Sequence, residues 1–294
     1  MIKNVLAVIV TYNPTENLLD ILENIAQSVE DIIIVDNNSA SDTVLADAQS
    51  RYRFTLFKNK TNLGVAKALE TAANFAVENG FSWLLTLDQD SVPEQQFAQK
   101  LAFVLQKYPN PEKIAIISPV HQEKNSKKIF EPDFFYKKIA SNMHQNWIEM
   151  PWILTSGNLV RVSVFSHMIQ FDSDLFIDGV DTDFCFKCID QGYKIVVVPS
   201  VIMQHSVGYQ VKGFFKQRPA SVHHPIRNYY QFRNRLLLWK RHFKKHFAWV
   251  LRDFVYGTKK FFDNVFFADQ KLLRLKLIFW GIWHGLLGKT GSYL

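Results

Sequence analysis

The chain has 294 residues, 48% apolar and 21% charged, which excludes a disordered or fibrous protein and suffices for one sizeable core or two small ones. Its net charge of +7 is uneven: residues 225–294 hold 14 Lys/Arg against 3 Asp/Glu, leaving the first 224 mildly acidic. The opening apolar run, Val5 to Val10, is too short for a signal-peptide core and leads into Thr11-Tyr12-Asn13 rather than a cleavage site, so the chain is expected in the cytosol.

In chain order, β-branched runs alternate with helical patterns, the mark of an α/β protein with a parallel sheet. Strands are predicted at Val5–Thr11, Ile32–Asp36, Phe54–Lys58, Trp83–Asp88 and Ile114–Ser118. Helices are predicted at Thr15–Ser28, near Ser41–Tyr52, over Val65–Asn79 with Gly80 closing it, and from Pro93 to about Tyr108. Four strand–helix units in a row make residues 1–118 a Rossmann-like nucleotide-binding half. Val120 to Pro151 loses its period and reads as a loop or lid. Order returns at Trp152–Asn158, with helices near Val162–Gln170 and Val180–Gln191 and a strand at Lys194–Val198, so 119–224 forms an acceptor half. From Pro225 the chain is helical in pattern, basic and aromatic. Cys185 and Cys188, spaced C-x-x-C without a second pair, read as small residues on a buried helix face.

Carboxylates at strand ends carry the chemistry. Ligands of open α/β sheets bind at the carboxyl ends of strands, so Asp36 can accept hydrogen bonds from a base or ribose; it can equally cap the next helix. In Asp88-Gln89-Asp90 the two-residue period turns both carboxylates to one side, an arrangement tolerated chiefly beside a divalent cation. Asp178, Asp181 and Asp183 meet where an apolar strand gives way to a helix, and the dipole there favours a carboxylate that can act as a base. His205 follows a strand and suits either a structural role or a metal.

These stretches together resemble the family 2 glycosyltransferases, inverting enzymes of the GT-A fold, over at least residues 5–235. The resemblance rests on Val8-Ile9-Val10-Thr11-Tyr12-Asn13, Ile33-Ile34-Val35-Asp36-Asn37-Asn38-Ser39, Asn62-Leu63-Gly64-Val65-Ala66, Leu87-Asp88-Gln89-Asp90-Ser91, Ser156-Gly157-Asn158, Val180-Asp181-Thr182-Asp183 and His205-Ser206-Val207-Gly208, in that order. It implies that Thr11, Tyr12 and Asn13 line the nucleotide pocket, that Asp36 holds the base, and that Asn62 and Gly64 lie beside the nucleotide. It further implies that Asp88 and Asp90 meet ribose, diphosphate and Mg²⁺ or Mn²⁺, that His205 completes the metal site, and that Asp181 is the catalytic base. Trp152, Gly157, Asp178 and Asp183 are acceptor-site candidates. The family's usual Glu-Asp pair reads Val180-Asp181 here, and its following Arg is Lys187.

The wording Leu87-Asp88-Gln89-Asp90-Ser91, with Val180 to Cys185 and Arg227-Asn228-Tyr229-Tyr230, resembles the rhamnosyltransferase branch, implying dTDP-L-rhamnose as donor and a saccharide acceptor of bacterial O-antigen, capsule or cell wall. A UDP-sugar donor on the same fold is the alternative. A nucleotide- or nucleic-acid-binding module is the rival class, but a sensor has no need of the acidic triplet, so no nucleic acid is expected. The C-terminal segment 225–294 is expected to lie as amphipathic helices on the inner face of the cell membrane, near a lipid-linked acceptor, with Trp280 and Trp283 at headgroup level. Packing on the catalytic domain 1–224, or on a second copy in a homo-oligomer, is the alternative.

Overall fold

The structure, a computed structural model, describes residues 3–123, 129, 138–139, 141–166, 168–205, 209–211 and 220–293, and at 205, 209–211, 220 and 221 the backbone alone. Residues 124–128, 130–137 and 140 of the expected lid, and Ser206-Val207-Gly208, therefore lie outside the described residues. The chain divides into two units, Met1–Phe171 with Phe184–Ser206, and Asp172–Asp183 with Val207–Leu294.

The first unit is built on strands β1 (Val5–Thr11), β2 (Asp31–Asp36), β3 (Thr55–Lys58), β4 (Trp83–Asp88), β5 (Ile114–Glu123), β6 (Ile148–Glu149), β7 (Asn158–Arg161) and β8 (Lys194–His205). They form one sheet in the order β3-β2-β1-β4-β7-β5-β8-β6. The β3-β2-β1-β4 half is parallel, and β7 is inserted antiparallel between β4 and β5. Helices α1 (Asn17–Ile25), α2 (Thr43–Arg51), α3 (Gly64–Glu78) and α4 (Phe97–Ala102) complete the strand–helix units. Every residue of β1 is buried, as a central parallel strand covered on both faces requires, which is why its sequence is an unbroken apolar run. Leu18, Ile21, Leu22 and Ile25 carry one face of α1 into the core beside Ile9, Ile34 and Leu85. Those contacts fix the strand ends that carry the polar residues.

Three expectations need correction. Val120–Glu123 is not loop, because β5 continues through Pro119 to Glu123 and pairs in parallel with β8 as far as His205. The helix expected from Pro93 begins only at Phe97, after Gln96 in a left-handed conformation, and gives way to a 3₁₀ turn at Phe103–Gln106. At Val162–Gln170 the described residues form only the turn Val162–Val164; Phe165 is extended, and its ring joins those of Phe171 and Phe184. Cys185 and Cys188 are buried, and burial pushes the Cys188 thiol up to about 12, so it stays protonated.

The second unit holds the start of α5 (Val180–Asp190), the hairpin β9 (Tyr209–Val211) and β10 (Ala220–Val222), and helices α6 (Ile226–His242), α7 (Phe247–Phe262) and α8 (Lys271–Leu287). α8 lies closely on α6: a side chain at Gly281 would come within 2.5 Å of the Tyr229 carbonyl oxygen, and one at Gly285 within 2.8 Å of that of Arg233. Arg274 is not a surface charge. It is wholly buried, donating to the Asp269 and His223 carbonyls and to the side chains of Asn228 and Asp269.

Candidate active site

In the first unit the carboxyl ends of β1, β2 and β4 converge. Asp36, wholly buried, accepts from Thr11 Oγ1 at 2.8 Å, from Ser39 Oγ at 2.5 Å and from the Ser39 amide at 2.9 Å. Both its oxygens thus hold the strand-end turn. Asn13, at φ +52°, donates its N–H to Ser39 Oγ and accepts from the Ala40 amide on its side-chain oxygen. Asn37 links this turn to the next: its amide donates to the Gly64 carbonyl, and its oxygen accepts from Asn59. Asn62 Oδ1 accepts from the Gly64 amide at 2.9 Å, shaping the entry to α3.

The D-x-D segment is fixed from both sides. Gln89 accepts from the Tyr12 amide at 2.8 Å and donates to the Tyr12 carbonyl at 3.0 Å, while the Asp88 amide donates to Ser156 Oγ at 3.0 Å. His121 bonds the Ser156 carbonyl through Nε2, so a buried imidazole supports that serine. Asp88 is half-buried and Asp90 exposed, which leaves Asp90 within reach of a ligand. A bridge between Val92 and Gln204 brings the backbone just beyond Asp90 beside the end of β8, where His205 sits; its side chain lies outside the described residues. Two carboxylates at one strand end form a hard oxygen donor set that fits Mg²⁺ or Mn²⁺.

Gly157, an acceptor-site candidate, is tightly packed: at φ +81° its amide donates to the Thr86 carbonyl, and a side chain would meet Met203 at 2.8 Å and Pro119 at 3.0 Å. Trp152 is half-buried.

In the second unit the acidic triplet is sorted by environment. Asp181, in the first turn of α5, is raised to about 6, chiefly by burial and further by the charge of Asp178, with the Thr182 amide pulling the other way. Burial would also raise Asp178, but the Arg227 guanidinium, bonded to both its oxygens at 3.1 and 2.5 Å, holds it below the usual carboxylate range. The two neighbouring carboxyls are thus pushed in opposite directions, Asp178 down and Asp181 up. Asp183, an acceptor-site candidate in sequence, is fully buried and bonded to Arg241 at 2.6 Å and His242 at 2.9 Å. The turn before α5 is strained, with Phe176 at φ +64°, Asp178 at +67° and Gly179 at +85°. Non-glycine residues held so cost about 1–3 kcal/mol each and persist only where the surroundings over-determine them.

Gln89, Ser156 and Arg227 were not assigned roles from sequence. For Arg227 a signal exists: Arg227, Asn234 and Arg241 recur every seven residues, a polar stripe along α6.

The chain matches the glycosyl transferase family 2 over residues 6–168. It is 31% identical to the dTDP-rhamnosyl transferase RfbF of Shigella flexneri over 251 residues, 82% of this chain and 81% of that one. Among solved structures, GalNAc-T7 with UDP, GalNAc and Mn²⁺ aligns with 69% of this chain at a TM-score of 0.55 and 14% identity; the alignment spans 44% of the GalNAc-T7 chain. S. aureus TarS 1–349 with UDP aligns with 83% of this chain and 73% of its own at 0.53 and 14%. A parallel strand–helix half with its polar residues at the strand ends, matched in sequence by one family and in fold by GT-A enzymes, leaves one conclusion: this chain belongs to glycosyl transferase family 2.

Proposed function

We propose that the enzyme transfers L-rhamnose from dTDP-L-rhamnose to a saccharide hydroxyl in polysaccharide synthesis, by single displacement with inversion. The observation that carries the reading is the 31% identity to a dTDP-rhamnosyl transferase, spread over 82% of the chain. Asp181 removes the proton of the acceptor hydroxyl as it attacks the anomeric carbon; a carboxylate that titrates at about 6 is ionised, yet basic enough, near pH 7. Thr11, Tyr12, Asn13, Asp36, Asn62, Gly64 and Asp88 form the nucleotide site, and Asp88, Asp90 and His205 would hold Mg²⁺ or Mn²⁺. Such an ion, when bound, neutralises charge on the departing diphosphate. A melting-temperature panel tests the donor: dTDP-L-rhamnose with either metal should raise Tm more than UDP-glucose or UDP-galactose does. Preference for a UDP-sugar would overturn the donor and leave the family intact.

A peripheral membrane position is the second part of the reading. No helix among the described residues is long and apolar enough to cross a membrane. Yet α7 and α8 expose Phe254, Val255, Leu272, Phe279 and Trp283 in a segment of net charge +11, and an apolar face rimmed by Lys and Arg suits an anionic lipid surface. A lipid-linked acceptor would be met there.

A further inference from the structure

We propose that α6 is the positioning element of the base: Arg227 and Asn234, one heptad apart, hold the Leu175–Asp181 turn in place and set the charge that Asp181 faces. The inference rests on the reading of Asp181 as base. Its geometry lies wholly within the second unit. Asn234, buried, gathers three carbonyls with one amide, donating to Leu175 at 2.8 Å, Ile177 at 2.8 Å and Asp178 at 2.7 Å. Its neighbour Arg233, wholly buried, donates to the carbonyls of Leu175 and Asp174. The Phe176 ring stacks on Tyr230 at 4.8 Å, and Leu238 Cδ1 lies 2.8 Å from where a side chain at Gly179 would begin. Four consecutive turns of α6 thus touch a segment whose backbone would not keep three positive φ angles unaided.

Arg227 adds the electrostatic part. The charged group acting on Asp181 is Asp178, and Asp178 in turn faces Arg227 and His223. Asp183, two residues along α5, is matched by Arg241 and His242. With Arg227 in place, the Asp178 charge is largely compensated. Without it, His223 offsets that charge less well, and a second carboxylate stands poorly compensated beside the base and holds its proton on.

The test is the titration of Asp181 in the full-length chain labelled at the Asp carboxyl carbon, its resonance assigned by its loss in Asp181→Asn. The wild-type midpoint should lie near 6. Arg227→Gln should move it up by about one pH unit, Arg227→Lys by less, and Asp178→Asn should move it down. In parallel, Asn234→Ala and Arg227→Gln should lower kcat for hydrolysis of the best donor in the panel at least about tenfold, with dTDP affinity within about twofold, as misplacement of a reacting group predicts. A midpoint unmoved in both Arg227→Gln and Asp178→Asn overturns the proposal. If Arg227→Gln does not fold, Asp178→Asn alone decides, since an amide keeps the shape and removes the charge. Wild-type turnover in Asp181→Asn would instead sink the base assignment, and the titration separates that failure from this one.

Discussion

Replacing Asp181 by Asn should abolish transfer and stabilise the protein at the same time, and the size of the second effect follows from the site. The amide oxygen can still accept from the Thr182 amide, now at 2.8 Å, so the bond that starts α5 survives while the buried charge is lost. Asp181 is raised from the ordinary 3.8 to about 6, first by burial and then by Asp178. A carboxyl whose folded pKa lies above its unfolded value contributes stability below pH 3.8 that is lost as pH rises through 6. Displacement of that size is worth about 3 kcal/mol at most. The side chain is partly exposed, so solvent screening brings the expected cost of the ionised form to about 1–2 kcal/mol. Asp181→Asn should therefore melt about 2–8 °C above wild type at pH 8, with the gap closing towards pH 4. Turnover should fall about 10²–10⁴-fold. Melting curves of both proteins across that range are the assay. A gap that does not change with pH, or a variant less stable at pH 8, would refute the electrostatic account of this site.

Asp36→Ala would leave Thr11 Oγ1 and the Ser39 amide and hydroxyl without their buried acceptor; the loss should be about 3 kcal/mol or more in urea unfolding, with weaker dTDP binding by calorimetry. Gly157→Ala combines a positive φ with a 2.8 Å clash against Met203 and should lower stability by about 2 kcal/mol or more, read by the same unfolding curves. Leu272→Glu with Phe279→Glu should abolish sedimentation with anionic liposomes and leave donor hydrolysis intact, and wild-type binding should weaken with salt; a chain that stays in the supernatant at low salt refutes membrane contact.

β1 and β4 are legible to the residue because strands buried along almost their whole length are mostly apolar and end where polar residues begin. β5 and β8 run on past Ser118 and Val198, where the sequence pattern ends them, through Pro119 and Pro199. Pairing steps there from Pro119–Val198 to Val120–Ile202, so Pro199 falls in the stretch of β8 that the register with β5 skips. In the site, the strand-end carboxylates stood out because a charge after an apolar run has few structural excuses. Gln89 did not, since its value lies in reaching the Tyr12 backbone, 77 positions away in sequence. Arg227 and Asn234 carry no role in the sequence reading for another reason: a polar stripe on a helical period looks the same whether it meets solvent or a buried turn.

That stripe also changes what truncation can test. Removing residues 251–294 to probe membrane contact takes away α8, whose close approach at Gly281 and Gly285 backs α6 against the Tyr229 and Arg233 carbonyls. It also removes Gly291, whose carbonyl accepts from Arg233 Nη1 at 2.5 Å and whose amide donates to the Asp174 carbonyl at 2.7 Å. Arg274, which bonds Asn228 and the His223 carbonyl beside Arg227, would go with it. A truncated chain that lost activity would therefore report on the base turn as much as on the membrane. Charge placed on the exposed face of α8 separates the two, because Leu272 and Phe279 are 84% and 61% exposed, whereas Leu277 and Ile278 face inward. The same helix thus presents one face to α6 and leaves the other open, and a sequence read only for amphipathicity cannot tell which of its apolar residues serve which face.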